Sequence, residues 1–457
     1  MTTQSLPPAT LDGDEYLQSL QSIEHSRSRS KPSLDTMLKL MDALGNPQRR
    51  LRAVHVTGTN GKGSTAAICA ELLAASSLRV GLFTSPHLSR VYERITVNGV
   101  AISDADLSSA LYRVRMAALR AAVQPTWFEA MTAAALLHFQ RCRVEAAVIE
   151  VGMLGRWDAT NVIDAEIAVV TNVGWDHAEL AGPGREFVAY EKAGVVRPGS
   201  TLVLGEGDRA LRSYFEQERP GRILLLNRDI SVEDKSAASG LTGAADYTTP
   251  WDCHTDIELN LAGDFQRYNA LCALAAVESF LQRPMDSGVV ADVFRAVSLP
   301  GRFEVLRDAP LIVADCAHNE AAALALRPLV DSITRPEGRR VLLCGLTIGR
   351  DPHQFLANLG ADRFDDIVVT EPDTPRAQSC NVTASAAATF DVTVRSEPAI
   401  SRALQVSTSL AGTSGVVVVV GSHYLVGPVR ELVRPKAVVK GLATQLYNCQ
   451  PRERGSH

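Results

Sequence analysis

What the sequence lacks narrows the field first. No apolar run reaches the ~18 residues that a membrane-spanning helix needs, so no span is expected. The N-terminal "MTTQSLPPATLDGDEYL" has neither a basic n-region nor an apolar h-region, so no secretion signal is expected. The eight cysteines are scattered, with no Cys-x-x-Cys pair, and read as reduced, mostly buried thiols of a cytoplasmic protein. A net charge of −5, with 21% charged and 46% hydrophobic residues, gives no reason to expect nucleic acid or an anionic membrane as partner. Internal repeats and low-complexity tracts are also missing.

What is there begins with "HVTGTNGKGSTAAICAELL" (His55–Leu73). The common phosphate loop is Gly-x4-Gly-Lys-Ser/Thr. Here Gly61-Lys62 is followed by Gly63 and then Ser64, and Val56 stands where the first glycine would fall. The physical parts remain in order. "LRAVHV" reads as a short buried strand and "STAAICAELLAAS" as a helix. Gly58, Gly61 and Gly63, with Asn60 among them, let backbone N–H groups converge on an anion. The helix N-terminus and Lys62 add positive charge, and Ser64 an oxygen for Mg2+. The loop is read as a triphosphate site.

Strand-like runs then alternate with helical patterns: "RVGLFTSPHL", "VEAAVIEVGMLG" and "AEIAVVTNVGWDH", with "TWFEAMTAAALLHFQRCR" between them. This predicts an α/β protein with a parallel doubly wound sheet, its ligands at the carboxyl ends of the strands. Those ends carry Lys62, Ser85, His87, Glu150, Asp176 and His177. "LAGDFQRYNALCALAAVESFL" reads as a closing helix, and residues 230–258 as a β-like or irregular segment. "VSLPGRFEVL" reads as a hinge. A second, smaller α/β alternation follows through "LIVADCAHN", "RVLLCGLTIGRD", "DIVVTEPDTPR" and "GVVVVVGSHYLVGPVREL". Two domains are therefore expected, 1–298 and 299–440, followed by a polar tail, 441–457.

The pieces "LGNPQ", "GTNGKGST", "TSPHL", "FEAMTAAAL", "EVGMLGRWDATNV", "DH", "EKAGV", "PGRFEVL", "DCAHN" and "GSHYLVGPVREL" occur in the order found in one family. Through them the chain resembles the folylpolyglutamate synthase and dihydrofolate synthase family of the Mur ligase superfamily. That family's loop carries the extra residue after Lys. The resemblance implies a P-loop-type parallel-sheet ATPase domain followed by a smaller Rossmann-like domain. It also implies an ATP-dependent amide ligase, which phosphorylates a folate or pteroate carboxylate and joins the acyl phosphate to L-glutamate. ATP and Mg2+, as two ions, are the implied cofactors. Small-molecule substrates and a monomeric state are expected.

Residue by residue, the resemblance places Lys62 and Ser64 on the phosphates, with Gly58, Asn60, Gly61 and Gly63 supplying backbone. It makes Ser64, Ser85, Glu150 and His177 metal ligands, and Asp176 a supporting group. Lys192 in "EKAG" matches a lysine that is carbamylated and helps bind metal. Asn269 matches an adenine contact, Arg302 a phosphate contact, Asp315 an ATP contact and His318 a nucleotide or amino-acid contact with a catalytic part. His87, Phe128, Trp157, Asp158 and Ala159 fall on the acceptor side.

Three departures cluster on that acceptor side. Leu154 replaces the first glycine of the family's "EVGxGGRxDATN", Trp157 replaces a smaller aliphatic, and only Leu34 and Asp35 remain of an "IDLGLER"-like run. They motivate an alternative: a divergent ligase joining an amino acid or amine to a non-folate carboxylate, as in secondary metabolism. A nucleotide-binding protein without catalysis is a third reading, and the set Lys62, Ser64, Ser85, Glu150, His177 and Lys192 argues against it.

Overall fold

The computed structural model describes residues 15–20, 33–175, 184–235, 243–333 and 338–434. The first domain is built on an eight-stranded sheet, in the order β4-β3-β2-β5-β1-β6-β7-β8. Its strands are β1 (Ala53–Thr57), β2 (Val80–Phe83), β3 (Ile95–Val97), β4 (Val100–Ala101), β5 (Ala146–Glu150), β6 (Ile167–Val170), β7 (Thr201–Leu204) and β8 (Arg222–Leu225). From β2 to β8 every neighbouring pair is parallel. Every residue of β1 and β5 is buried, as expected of central parallel strands covered on both faces.

The sheet is not wholly parallel. β3 and β4 add to its edge antiparallel, joined by an Asn98-Gly99 turn with φ of 46° and 74°. Both positive torsions belong to the tight hairpin turn that Asn-Gly favours.

The loop helix, Lys62–Ala75, packs against helix Asp264–Leu281, and small residues on both (Ala66, Cys69, Ala70; Ala270, Ala273, Ala276) lie in one buried cluster. Helix Trp127–Arg141 starts with a capping box: the Thr126 side chain accepts from Glu129 N–H, and Glu129 accepts from Thr126 N–H.

Within the β-like segment of 230–258, β9 (Ser231–Asp234), β10 (Ala244–Thr248) and β11 (Cys253–Glu258) form a small antiparallel sheet. A buried polar group fastens it to the helices. Glu278, fully buried, accepts from Met285 N–H at 2.9 Å and from the Thr249 hydroxyl. His254 Nε2 lies 3.1 Å from the same carboxylate and its Nδ1 2.8 Å from Ser287 Oγ.

The second domain holds a six-stranded sheet in the order β12-β13-β17-β14-β15-β16. These are β12 (Glu304–Asp308), β13 (Leu311–Ala314), β14 (Arg340–Cys344), β15 (Asp366–Val369), β16 (Thr393–Ser396) and β17 (Val416–Val420). All pairs are parallel except β12 with β13. β17 lies between β13 and β14, so the loops after β13 and β17 open side by side at a switch point.

The two domains meet along a tight seam. Leu88, in the turn after β2, packs into the second domain's core, and Phe265 packs against a second cluster there. Helix His423–Val433 comes so close that a Cβ on Gly427 would lie 1.9 Å from the Leu88 carbonyl oxygen. Gly427→Ala should raise intrinsic helix propensity yet destabilise the protein by about 1–3 kcal/mol, because the methyl overpacks backbone. Urea denaturation of the variant measures this, and an unchanged midpoint would show that the seam can relax.

Candidate functional site

The phosphate loop is stapled to the chain that follows β6. Thr59 N–H donates to Asn172 O at 3.1 Å and Asn60 N–H to Asn172 Oδ1 at 3.0 Å. The Asn60 carbonyl accepts from Thr171 Oγ1 at 2.6 Å and Asn172 Nδ2 at 2.9 Å. Gly58 and Gly61 are required by close approach. A Cβ on Gly58 would lie 1.8 Å from Thr171 Oγ1, and one on Gly61, at φ 83°, 2.2 Å from Asn269 Oδ1. Lys62 Nζ donates to the carbonyls of Gly58 and Thr59 at 3.0 and 3.2 Å, so the cation lies against the loop itself.

One expectation for the loop needs correcting. The helix begins at Lys62 rather than Ser64, so Gly63 is helical and not part of a left-handed turn. Its bare face is turned to Glu150: a Cβ there would meet the two carboxylate oxygens at 3.4 and 3.5 Å. The extra residue thus sets a carboxylate beside the first helical turn.

Glu150 ends β5 at 3% exposure, and its Oε2 accepts from Ser85 N–H at 2.8 Å. Burial pushes its pKa up, while Lys62, the Ser85 N–H, Arg302 and Arg94 oppose the rise. Asp315, just after β13, is also buried. It accepts from Phe303 N–H at 2.8 Å and Ala317 N–H at 2.7 Å. Burial raises its pKa and Arg302 is the largest opposing influence. Arg302, from the hinge, therefore acts on a carboxylate of each domain.

The seam has a polar fastening at the same place. Asn60 Nδ2 donates to Asn319 Oδ1 at 3.4 Å, and Asn319 Nδ2 donates back to Asn60 Oδ1 at 3.0 Å. His318 Nδ1 lies 3.0 Å from the Cys316 carbonyl, which can only accept, so Nδ1 carries a proton. Its ring centroid is 5.7 Å from that of His423. Asn269 is held over the loop by Gln266, to whose Oε1 it donates at 2.9 Å.

His87 and Arg94 form a neighbouring unit. Arg94 Nε donates to His87 Nδ1 at 2.9 Å, and its guanidinium lies 4.6 Å from the centre of the Trp127 ring. Burial first, then Arg94, pushes His87 down to about 4.

On the acceptor side, Phe128 lies 5.9 Å from Phe83 between centroids, and its ring edge presses on Gly152. Asp158 is engaged within its own loop: it accepts from Met153 N–H at 2.8 Å, Thr160 N–H at 3.0 Å and the Thr160 hydroxyl. It caps the short turn Ala159–Val162, in which Ala159 is buried. Leu154 has φ 58°, so it keeps a left-handed backbone that glycine adopts freely and a Cβ residue adopts at about 1–2 kcal/mol. Trp157 is 46% exposed, its side chain hydrogen-bonded to Glu191.

Lys192, in helix Arg185–Ala193, is buried, and its Cα would lie 3.3 Å from a Cβ on Gly155. His177 and Asp176 fall outside the described residues. Among the described residues no group of three or more His, Cys, Asp or Glu is placed to hold a metal. The donor placed beside the loop is the Glu150 carboxylate, facing Gly63 and held by the Ser85 N–H, and a hard oxygen of this kind suits Mg2+. The structure thus gathers Asn60, Lys62, Glu150, Asn269, Arg302, Asp315 and His318, and leaves Trp157 largely on the surface. It adds Arg94, Asn319 and His423, none of which the sequence singled out. The signals present were the second arginine after "TSPHL" and the polar ends of "DCAHN" and "GSHY", and only the folded arrangement joins them.

Comparison with known proteins gives this arrangement its context. Residues 56–277 match the Mur ligase middle domain and residues 301–423 the Mur ligase, glutamate ligase domain. Fold and site define an ATP-dependent, ADP-forming acid–amino-acid ligase of the Mur type. The dihydrofolate synthase/folylpolyglutamate synthase of Mycobacterium tuberculosis is 34% identical over 415 residues, 82% of each chain. E. coli FolC in complex with DHPP and ADP is similar in structure at a TM-score of 0.84 and 26% identity, covering 93% of this chain and 99% of that one. A bifunctional folylpolyglutamate synthase/dihydrofolate synthase from Yersinia pestis, complexed with AMPPNP and Mn ion, gives 0.82 at 27% identity, covering 94% and 100%. The chain belongs to the dihydrofolate synthase/folylpolyglutamate synthase family.

Two imidazoles, one buried and one half-buried, make a pH prediction. His87 is held at about 4 and His55, fully buried against Thr160, at about 3, both below the ordinary 6.5. The unfolded chain therefore binds protons that the folded one refuses. The stability conferred by the neutral rings is complete above about pH 6.5 and is lost as pH falls toward 4, then 3. Urea midpoints across this range should fall with pH. His87→Asn, which keeps an acceptor for Arg94, should flatten the limb between 6.5 and 4 by about one proton.

Proposed function

We propose that the enzyme joins L-glutamate to the carboxylate of a pteroate or folate, converting ATP to ADP and phosphate. The observation that carries this is the phosphate cradle of one domain facing Arg302 and Asp315 from the other, with Glu150 between them. A carboxylate is a poor electrophile until one oxygen becomes a phosphate leaving group. Transfer of the γ-phosphoryl group to the acceptor makes that leaving group, and attack by the glutamate amine then forms the amide.

In this reading Gly58 and Gly61 open the loop to the phosphates, and Gly63 offers its helical backbone N–H beside Glu150. Lys62 swings from the Gly58 and Thr59 carbonyls onto them, and Arg302 approaches from the hinge. Ser64, Ser85, Glu150 and Lys192, the last as a carbamate, with His177, hold Mg2+. When bound, the metal neutralises charge on the transferring oxygens. Asn269 contacts the adenine, and Asp315 holds Arg302. Phe128, with His87 and the Ala159 segment, receives the acceptor. Closure of the seam keeps water from the acyl phosphate. The domains divide near residue 299, and the enzyme works as a cytoplasmic monomer, a setting in which the seven described cysteines, all free thiols, are at home.

A non-folate acceptor is not favoured. Leu154 takes a left-handed backbone that a glycine would adopt freely, and Trp157 turns toward Glu191 and solvent.

Purified enzyme with Mg2+-ATP, glutamate and dihydropteroate or tetrahydrofolate should yield a product one glutamyl unit heavier by mass spectrometry, with ADP. ATP hydrolysis without that product on either acceptor would overturn the folate reading. Glu150→Gln should lower turnover about 100-fold or more, the scale of losing one electrostatic group in the transition state. It should also weaken Mg2+-dependent nucleotide binding more than metal-free binding, as isothermal titration would show.

A further inference from the structure

His423 has no assigned part in the reaction, yet it stands beside His318 and within the influence of Lys62 and Arg302. It opens the helix after β17, at the switch point beside the β13 loop that carries His318, with the two rings 5.7 Å apart. The charged and titratable groups acting on it come from four other elements: Arg302 of the hinge, His318, Lys62 of the phosphate loop, and Arg94 of the turn after β2. The neighbouring Tyr424 carbonyl accepts from Asp373 N–H at 3.0 Å, which fixes the turn against the loop after β15.

We propose that His423 completes, with His318, the receiving site for the amino group of the incoming glutamate, and takes the proton that this group must lose before it attacks. The inference rests on the ligase reading above. An ammonium ion has no lone pair. One N–H proton passes to the His423 imidazole, and the freed pair forms the C–N bond to the acyl carbon. The bond from that carbon to the phosphate oxygen breaks with its electrons going to phosphate. The second proton on nitrogen leaves with the departing phosphate, so charge and atoms balance.

The surroundings support this. Burial, then Arg302, His318, Lys62 and Arg94, keep the His423 ring neutral, well below the ordinary imidazole value. The same cations disfavour an ammonium bound beside them, so donor and acceptor shift together. A triphosphate lying between Lys62 and Arg302 would offset their charge and restore basicity to the ring. The base is thus strengthened only after nucleotide has arrived.

Hydroxylamine separates this step from phosphoryl transfer, because it is already an unprotonated amine at neutral pH and traps acyl phosphates as hydroxamates. His423→Phe and His423→Gln should each lose glutamate ligation about 100-fold at neutral pH, the usual span of a general base. Hydroxamate formation from ATP and dihydropteroate should fall less than about threefold. The variants' ligation rate should climb about tenfold per pH unit as the amine deprotonates by itself. Equal losses in both reactions, or glutamate ligation unchanged, would overturn the role. Failure of the parent enzyme to form any hydroxamate would instead refute the acyl-phosphate reading, and this inference with it. An ADP-induced rise in melting temperature in each variant shows that it is folded.

Discussion

Like charges held close together around buried carboxylates govern this molecule. Lys62, Arg94 and Arg302 all act on Glu150, and Arg302 also on Asp315, in a place where burial already disfavours charge. In water these cations would drift apart. Here the loop carbonyls hold Lys62, and Trp127 with His87 holds Arg94. The folding energy of both domains keeps these cations in position around two buried carboxylates. A polyanion is drawn to such cations, and its transferring oxygens enter a site that need not reorganise.

The backbone is subordinate to that arrangement. Asn172 and Thr171 fix the loop by hydrogen bonds to its own peptide groups, so its shape does not wait for ligand. The glycines mark where other elements press against it, and Gly427 marks the same pressure across the seam. Leu154 shows how firmly the loop beyond β5 is determined. Its left-handed torsion survives with a side chain that opposes it, because that side chain also packs against a buried cluster.

Much of this was legible in order along the chain. The apolar runs at 53–57 and 146–150 announced buried parallel strands, and "TWFEAMTAAALLHFQRCR" announced a helix. The phosphate loop was readable despite its irregular spacing, because the helix and lysine were in place. The antiparallel edge at β3 and β4 was missed: strands of three and two residues carry too little periodicity, though Asn98-Gly99 held the turn signal. Gly63 was misread because glycine in a Gly-rich loop suggests a turn, whereas the helix starts earlier and uses its small size to admit Glu150. His423 and Asn319 were illegible for a different reason. Each is ordinary in its own stretch, and each matters through a partner far away in the chain, Asn319 through Asn60, 259 residues distant.

That amide pair has one further consequence. Asn60 and Asn319 exchange hydrogen bonds without net charge, so dissolved ions do not screen their attraction. The cations around Glu150 act on a ligand through a field that ions do screen. Ionic strength should therefore separate two properties that share one location: holding the halves in register persists in brine, while the pull on an anion fades.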